Sequence, residues 1–344
     1  MKYKLLGNSG LRVSELCLGT MTFGIEWGWG SDRKQSQEVF ETYANAGGNF
    51  LDTANRYTEG TSEKWLGEMI ASDRDHFALA TKFALKDKNG DPNYAGNHRK
   101  NLMRSVKTSL ERLNTEYIDL LWIHAWDFTT RPEEVMRGLE DLVTRGLVHY
   151  IGVSDTPAWI VSQCNTLAEL RGWSRFAALQ VEYSLLQRSP EADLLPMAKA
   201  LDLAVTPWAP LAGGALTGKY LNDESGRVKA ESDRRGERAN SIAQTVVDVA
   251  KRLEVSPAQV AVQWTKQRDQ VVIPIIGARI KEQLTDSLKS VDLVIPQNEM
   301  DILNDVSKVT LGFPHEFLQT DGVKDVLFGG TFDQVENHRK KDLR

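Results

Sequence analysis

Four side chains that could share acid–base chemistry follow successive apolar segments of the chain. Asp52 and Tyr57 follow one such segment, Lys82 follows the next, and His124 follows the one after that. A lone tyrosine in a loop is most often structural. A tyrosine with an ammonium, a carboxylate and an imidazole beside it can act as a proton donor or acceptor. The elements that place these residues therefore decide their interpretation.

Short apolar segments alternate with amphipathic ones along most of the chain. Continuous apolar runs are typical of strands buried on both faces, and they predict strands at 16–18, 50–51, 77–81, 117–123, 148–153, 178–181, 203–206 and 271–275. Apolar residues at helical spacing predict helices over 35–46, 62–70, 100–113, 133–145, 157–170, 191–201, 241–253, 257–266 and 281–290. Ser62 is predicted to cap one of these helices, and Pro132 to open another.

This alternation predicts an α/β fold, a (β/α)8 TIM barrel. Turn residues at 8–10 predict a β-hairpin within residues 1–15, and a long Gly-rich loop is expected from 207 to about 239. Residues 296–344 are expected to form a C-terminal tail with one amphipathic helix and a poorly patterned end. The alternative is a doubly wound open sheet, but the early Gly-rich segment 24–30 lacks the Gly-x-Gly-x-x-Gly spacing. We expect one barrel domain over 1–344.

Composition excludes several classes of protein. A net charge of −5 argues against nonspecific binding of nucleic acid. Two cysteines, Cys17 and Cys164, supply neither a disulfide framework nor a zinc cluster, and we expect buried, reduced thiols. The N-terminus lacks the apolar core of a signal peptide, and no apolar stretch is long enough to span a bilayer. The prediction is a soluble cytoplasmic protein with a small-molecule partner and no membrane partner.

Several ordered motifs, covering about residues 1–310, resemble those of the aldo-keto reductases. They are Asp52-Thr53-Ala54 with Tyr57, Ala80-Thr81-Lys82, the strand ending at His124, Gly152-Val153-Ser154, Gln180-Val181-Glu182-Tyr183-Ser184, Thr206-Pro207-Trp208-Ala209-Pro210-Leu211 and Ile273-Pro274-Ile275-Ile276-Gly277. The Gln-x-x-Tyr-Ser and Pro-Trp-x-Pro-Leu words are most similar to the branch with bacterial, plant and potassium-channel-β-subunit-like members. The resemblance implies that Asp52, Tyr57, Lys82 and His124 form a catalytic tetrad.

The physical chemistry of the tetrad agrees with carbonyl reduction. Tyrosine has an ordinary pKa near 10, and an ammonium group about 4 Å away would lower it by up to roughly three units at an effective dielectric of about 20. Asp52 would keep Lys82 charged despite its burial. His124 would orient the carbonyl and donate a hydrogen bond to the developing oxyanion. Tyr57 would donate the proton, or accept it during alcohol oxidation, and no metal is required.

A hydride must come from a nicotinamide, because no side chain supplies one. The resemblance implies NADP(H), with NAD(H) as an alternative, bound by Thr20, Met21, Asp52, Ser154, Asp155, Gln180, Trp208, Pro210, Leu211, Gly213, Gly214, Lys219, Gly277, Arg279, Gln283 and Ser287. Within this set, Ser154 and Gln180 would hold the carboxamide and Trp208 would support the ring. The loop 210–219 would face the pyrophosphate, and Arg279 with Gln283 the adenosine phosphate.

Two positions depart from the family pattern, since Asp155 and Ser287 stand where the family usually has asparagine. Asp155 places a negative charge at the nicotinamide end, and Ser287 shortens the reach to adenine.

Substrate contacts are expected from Trp27, Trp29, Tyr57, His124, Trp126 and Asp127. Aromatic walls suit aryl or apolar carbonyls and also sugar faces, and Asp127 or Arg56 could bind hydroxyls.

The main hypothesis is an NADP(H)-dependent oxidoreductase that interconverts carbonyls and alcohols. The second hypothesis is a nucleotide-sensing regulatory subunit with vestigial turnover. A third keeps the tetrad but assigns it dehydration or sugar oxidation. Turnover with a panel of carbonyls separates the first hypothesis from the second.

Overall fold

The predicted N-terminal hairpin closes one end of the barrel. In the computed structural model, which describes residues 1–222 and 226–336, strands β1 (Tyr3–Leu5) and β2 (Arg12–Ser14) pair antiparallel. Leu6 and Val13 are fully buried among the residues that fill the barrel interior. Gly7 in the turn has φ +54°, and an added Cβ would lie 2.2 Å from the carbonyl oxygen of Ala177, so this close approach requires glycine.

Eight parallel strands form the predicted barrel. They are β3 (Cys17–Gly19), β4 (Phe50–Asp52), β5 (Ala78–Phe83), β6 (Ile118–Ile123), β7 (Val148–Ser154), β8 (Phe176–Glu182), β9 (Ala204–Trp208) and β10 (Ile275–Ile276). The order is β10-β3-β4-β5-β6-β7-β8-β9, and all seven pairings are parallel. Closure comes from Val205, which donates to the Val271 carbonyl and accepts from the Ile273 amide, each at 2.8 Å. The (β/α)8 prediction is confirmed.

Helices follow the strands on the outside of the barrel. They are α1 (Arg33–Asn45), α2 (Thr61–Ile70), α3 (Arg99–Leu113), α4 (Pro132–Thr144), α5 (Ala158–Arg171), α6 (Leu194–Ala200), α7 (Glu237–Arg252), α8 (Pro257–Lys266), α9 (Lys281–Leu288) and α10 (Gln297–Val306). Pro132 opens α4 as predicted. Their apolar faces pack in two clusters between the helices and the sheet, whereas a third cluster fills the barrel interior.

Strand alternation assigns successive residues to these clusters. On β5, Ala78 and Ala80 belong to the interior cluster, whereas Leu79 and Phe83 pack on the outside. Trp122 on β6 fills much of the interior, and its ring occupies the space that a Cβ on Gly152 would need, at 2.4 Å. The interior is therefore a packed core that leaves only the strand ends open for chemistry.

Four details of the predicted secondary structure are wrong. Ser62 does not cap α2, because its hydroxyl bonds Thr20 and Thr53 while Gly60 occupies the cap position. The last strand is shorter than predicted, since Pro274 has no N–H to extend the ladder. The predicted helix 191–201 is divided into a 3-10 turn, Ser189–Glu191, and α6. Helix α7 begins four residues earlier than predicted, inside the expected loop, which also contains 3-10 turns.

The tail beyond α10 contains more helix than predicted. Two short helices, α11 (His315–Gln319) and α12 (Asp321–Phe328), follow a stretch without regular structure. Their apolar side chains are largely exposed; Val326, for example, is 79% exposed. The end of the predicted tail, 337–344, lies outside the described residues. Within the described ranges, no helix is both long and apolar enough to cross a membrane.

Candidate active site

The two-residue period of the strands brings the four predicted catalytic residues to one end of the barrel. Lys82 continues the inward-facing series of Ala78 and Ala80 on β5, and Asp52 follows Phe50 on β4. His124 comes directly after β6, in phase with Trp122. Since parallel strands end on the same side, these side chains converge at the carboxyl ends, where barrel enzymes have their active sites.

The tetrad residues lie in direct contact. The Lys82 ammonium donates to Asp52 Oδ2 at 2.5 Å, to the Thr53 carbonyl at 2.9 Å and to the Tyr57 hydroxyl at 3.2 Å. The Tyr57 and His124 rings meet edge to face with centroids 5.9 Å apart. Asp52 also accepts from Gln180 Nε2 at 3.0 Å. The geometry joins Asp52, Lys82 and Tyr57 in one chain, with His124 beside the phenol.

Burial sets the protonation states of these groups. Burial raises the pKa of Tyr57 above its ordinary value, and this effect outweighs the opposite influence of Lys82. The predicted lowering of the Tyr57 pKa is therefore wrong, because burial raises this pKa by more than Lys82 lowers it, and Asp52 adds to the rise. Although burial alone would lower the pKa of Lys82, Asp52 and Tyr57 raise it above its ordinary value. The lysine is charged and the tyrosine protonated at neutral pH.

His124 is neutral in the same site. Burial, reinforced by Lys82, lowers its pKa well below 6.5. Its Nδ1 is buried and has no hydrogen-bond partner. A neutral imidazole has one N–H donor, so His124 can donate to a substrate oxygen without adding a second positive charge beside Lys82.

An unusual turn fixes the position of Tyr57. Thr58 and Glu59, which follow it directly, have φ values of 45° and 56°, and Gly60 has φ 94°. A left-handed β-branched residue is a rare and strained arrangement, found where surrounding contacts enforce it. Here the Thr58 hydroxyl donates to the Phe23 carbonyl at 2.6 Å and accepts from the Ser62 amide at 3.2 Å. The sequence gives no signal for this strain.

The Arg112–Glu63 ion pair packs against the same turn and stabilises it. Arg112 on α3 donates to Glu63 at 3.1 Å and to the Asn55 carbonyl at 2.8 Å. Glu63 is fully buried and also accepts from Thr81, the neighbour of Lys82, at 2.7 Å. The pair therefore connects the Tyr57 turn with the strand that carries Lys82. Sequence reasoning missed both Arg112 and Glu63.

The opposite half of the mouth carries the residues that the resemblance assigns to a nicotinamide. Ser154 and Gln180 are buried at the ends of β7 and β8, and Trp208 ends β9. The Trp208 indole donates to Asp155 Oδ1 at 3.1 Å. The Gln180 amide nitrogen is engaged by Asp52, which leaves its carbonyl oxygen to accept another donor.

The loop after β9 places the Lys219 ammonium beside its glycines. Gly213 and Gly214 have φ values of 70° and 91°, and a Cβ on Gly214 would lie 3.0 Å from the Lys219 ammonium. A pocket beside Gly213 is lined by three further cations, Arg227, Lys229 and Arg234, and by one carboxylate, Glu231. Arg227 was not predicted, since it lies in a segment that reads as an unpatterned loop. This concentration of positive charge around backbone with little side chain is suited to phosphate groups.

The residues predicted to hold the adenosine phosphate are neighbours. Gln283 on α9 accepts from the Arg279 amide at 3.0 Å, and Ser31 donates to the Arg279 carbonyl at 2.8 Å. Within the described ranges, the Arg279 guanidinium has no ion pair. Ser287, on the same helix, is buried. The remaining predicted cofactor residues lie along the same barrel end, at Thr20, Met21, Pro210, Leu211 and Gly277. The Thr20 hydroxyl is already engaged by Ser62 and the Asp52 carbonyl.

Two tryptophans form an aromatic wall at the mouth. Trp27 and Trp29 have centroids 5.6 Å apart, and Trp27 meets the Tyr57 ring edge-on at 6.4 Å. Arg56 lies over Trp27 at 5.6 Å and Arg227 over Trp29 at 4.3 Å. The wall therefore combines flat apolar surface with cations near the acid–base group.

The structure does not place Trp126 and Asp127 in this wall. Trp126 is 8% exposed and belongs to the core cluster outside the sheet. The Asp127 carboxylate accepts from the amides of Asn97, Thr129 and Thr130 and from the Thr130 hydroxyl, at 2.7–2.9 Å. Core packing engages the Trp126 side chain and backbone donors engage the Asp127 carboxylate, so their contact with substrate stays a prediction.

The residues have the chemistry that a dinucleotide needs. They include the unpartnered His124 nitrogen, the glycines and Lys219 within 213–219, and Arg279 beside Gln283. No group of His, Cys, Asp and Glu in the described part of the chain is arranged to hold a metal ion. The fold and site thus define a (β/α)8 barrel with an acid–base centre at the carboxyl ends of its strands and several cations near the glycines of the loop after β9.

Comparison with known proteins gives the family. The sequence model of the Aldo/keto reductase family matches residues 15–308. The chain is 38% identical over 324 residues to the norsolorinic acid reductase of Aspergillus flavus, covering 91% of this chain and 83% of that protein. It is 36% identical over 335 residues to the aryl-alcohol dehydrogenase (NADP(+)) of Phanerodontia chrysosporium, covering 91% and 87%. The chain belongs to the aldo/keto reductase family, whose members use NADP(H).

Proposed function

We propose that this protein is an NADP(H)-dependent reductase of aryl aldehydes or ketones that can also run in the alcohol-oxidising direction. The observation that carries the proposal is the Asp52–Lys82–Tyr57 chain, with Lys82 Nζ 3.2 Å from the Tyr57 hydroxyl and His124 at its side. The nicotinamide supplies or accepts the hydride when bound.

The protein residues supply binding and proton transfer. A carbonyl oxygen placed between Tyr57 and His124 would accept hydrogen bonds from both, which stabilises the negative charge that develops on it. Tyr57 holds its proton because its pKa is raised, and it gives that proton to the forming alkoxide. Lys82, kept charged by Asp52, then stabilises the tyrosinate. In the oxidising direction the same phenol must first lose its proton, so alkaline conditions favour that direction.

The aryl preference is supported by the wall and by the relatives. Trp27 and Trp29 offer flat surface beside the acid, and Arg56 and Arg227 stack on them. The relatives at 36–38% identity are named as a norsolorinic acid reductase and an aryl-alcohol dehydrogenase. An aromatic ring conjugated to the carbonyl would stack on the wall while its oxygen reaches Tyr57.

The test uses loss of NADPH absorbance with matched aryl and aliphatic aldehydes. We expect faster turnover of the aryl members, and Tyr57→Phe should lose turnover by about 100-fold or more while still binding NADPH, because only the proton donor is removed. Glu111→Gln, an exposed change on the outer helix α3, is the matched control. Tight NADPH binding without turnover of any carbonyl would favour the regulatory-subunit hypothesis instead.

We also propose a cytoplasmic location. Its support is that Cys17 and Cys164 are free and buried, as expected for a reducing compartment. Cell fractionation followed by immunodetection tests this location, and recovery in a secreted fraction would contradict it.

A further inference from the structure

The carboxylate of Asp155 lies among the residues proposed to hold the nicotinamide. Its backbone is fixed from both sides, since its amide donates to the Gln180 carbonyl at 3.3 Å and its carbonyl accepts from the Trp126 amide at 3.4 Å. Its φ of 40° is in the left-handed region, where aspartate is better tolerated than most residues. The side chain is held by the Trp208 indole at 3.1 Å. Asp155 therefore has a defined position at the mouth.

The charge of Asp155 has no counter-charge of its own. Among the residues that the structure describes, it forms no ion pair. Lys82, the cation that acts on the Asp155 charge, is neutralised by Asp52 at 2.5 Å. The other carboxylate on this side, Glu182, is paired with Arg234. These five groups together carry a charge of −1, since Lys82 and Arg234 offset two of the three carboxylates.

That charge acts on the catalytic centre. Asp155 contributes to the raised pKa of Tyr57, and Lys82 in turn acts on the pKa of Asp155, so the groups are within electrostatic range of one another. Asp155 is reachable by water but lies in the concave mouth. A ring that covers it would displace water and strengthen its field.

The reduced and oxidised nicotinamides differ in charge. A bound nicotinamide would supply a hydride, with its two electrons, to the carbonyl carbon, while Tyr57 would give its proton to the oxygen, so that the carbonyl becomes an alcohol. The nicotinamide ring would be neutral when reduced and a pyridinium cation when oxidised. An unpaired carboxylate beside the ring therefore strengthens the binding of the oxidised, cationic form and hardly affects the binding of the reduced, neutral form.

We infer that Asp155 makes this protein bind the oxidised nucleotide more tightly, relative to the reduced one, than it would with a neutral residue at this position. The inference rests on the proposed function, because it requires the nicotinamide to lie against the ends of β7–β9. Asp155 acts here as a determinant of redox-state preference. The consequence for turnover is slower release of NADP+ after carbonyl reduction and easier alcohol oxidation.

The test is isothermal titration calorimetry with NADP+ and NADPH separately, at about pH 8, far above the ordinary carboxyl range. Asp155→Asn keeps an oxygen to accept from Trp208 and removes the charge. We expect NADP+ affinity to fall about fivefold relative to NADPH affinity. An attraction between two unit charges gives a fold-change of about this size when the effective dielectric constant lies between that of water and that of a protein interior. Asp155→Ser should shift the ratio in the same direction, and Asp155→Glu should retain the wild-type preference.

Glu111→Gln is the matched control, because it removes an equal charge from the exposed face of α3. Its affinity ratio should stay within about twofold of wild type. An unchanged ratio in both neutral Asp155 variants, with both nucleotides bound, would overturn the inference and leave the proposed function intact. Failure of the wild-type protein to bind either nucleotide would refute the proposed function and the inference together. Asp155→Ser decides the outcome if Asp155→Asn fails to fold.

Discussion

The buried pair of Asp52 and Lys82 should respond to mutation as a coupled unit. Their side chains are 3% and 0% exposed, and the ammonium lies 2.5 Å from the carboxylate. Removing one partner of such a pair leaves a buried charge without compensation, which typically costs about 3–5 kcal/mol. We therefore expect Asp52→Asn and Lys82→Met each to lower the free energy of unfolding by about 3–5 kcal/mol.

The double variant separates charge compensation from simple packing. With both charges removed, no uncompensated charge remains, so the loss should be smaller than the sum of the single losses by about 1–3 kcal/mol. The remaining partners explain why some loss persists: Gln180 donates to Asp52 at 3.0 Å, and Lys82 donates to the Thr53 carbonyl at 2.9 Å. Each single variant alters one of these bonds, and the double variant alters both.

Urea unfolding of the four proteins, followed by fluorescence and analysed by linear extrapolation, measures the cycle. Because the pKa of Lys82 is raised on folding, the contribution of the pair is fully present below about pH 10.4, the ordinary lysine value, and is lost as pH rises through the folded pKa. Measurements near pH 7.5 therefore sample it completely. Single losses below about 1 kcal/mol, or strict additivity, would refute the account of a buried, mutually compensating pair.

Three further outcomes follow from the structure. Arg112→Met should lower the free energy of unfolding by about 3 kcal/mol and reduce turnover, because Glu63 becomes an unpaired buried carboxylate. Lys107→Met, on the exposed face of the same helix, is the control. Equal effects of the two substitutions would contradict this explanation. Because the pKa of His124 is lowered on folding, the unfolded state binds a proton at this residue more readily below about pH 6.5. The free energy of unfolding should therefore fall between about pH 7 and pH 5, and it should fall less in His124→Asn. Parallel pH profiles of the urea midpoints of the two proteins would exclude this residue as the cause. Gly152→Ala should lower the free energy of unfolding by about 1–3 kcal/mol through overpacking, since the new Cβ would lie 2.4 Å from the Trp122 ring. Gly10→Ala, whose Cβ would have nothing within 4 Å, should leave the melting temperature nearly unchanged. Similar melting temperatures for the two variants would contradict this account.

Much of the architecture was predictable because it depends on local patterns. Continuous apolar runs separated by helical periodicity are a property of the sequence, and they predicted eight parallel strands and a closed barrel. The same two-residue period places Asp52 and Lys82 on inward positions, so their convergence followed once the barrel was inferred. The predictions were wrong at the ends of elements, at the strand after Pro274 and at the divided helix before Leu194. The exact boundary of an element depends on which backbone groups find hydrogen-bond partners.

The sequence by itself determined which chemical groups stand at the strand ends and in what order, because register and residue identity are fixed along the chain. Only the tertiary structure decided how those groups behave. Burial, a property of the assembled surroundings, raises the pKa of Tyr57 where pairwise reasoning predicted a lower one. The left-handed turn at Thr58 and the Arg112–Glu63 pair join segments distant in sequence. Desolvation and long-range contacts depend on three-dimensional neighbours, which no local pattern encodes.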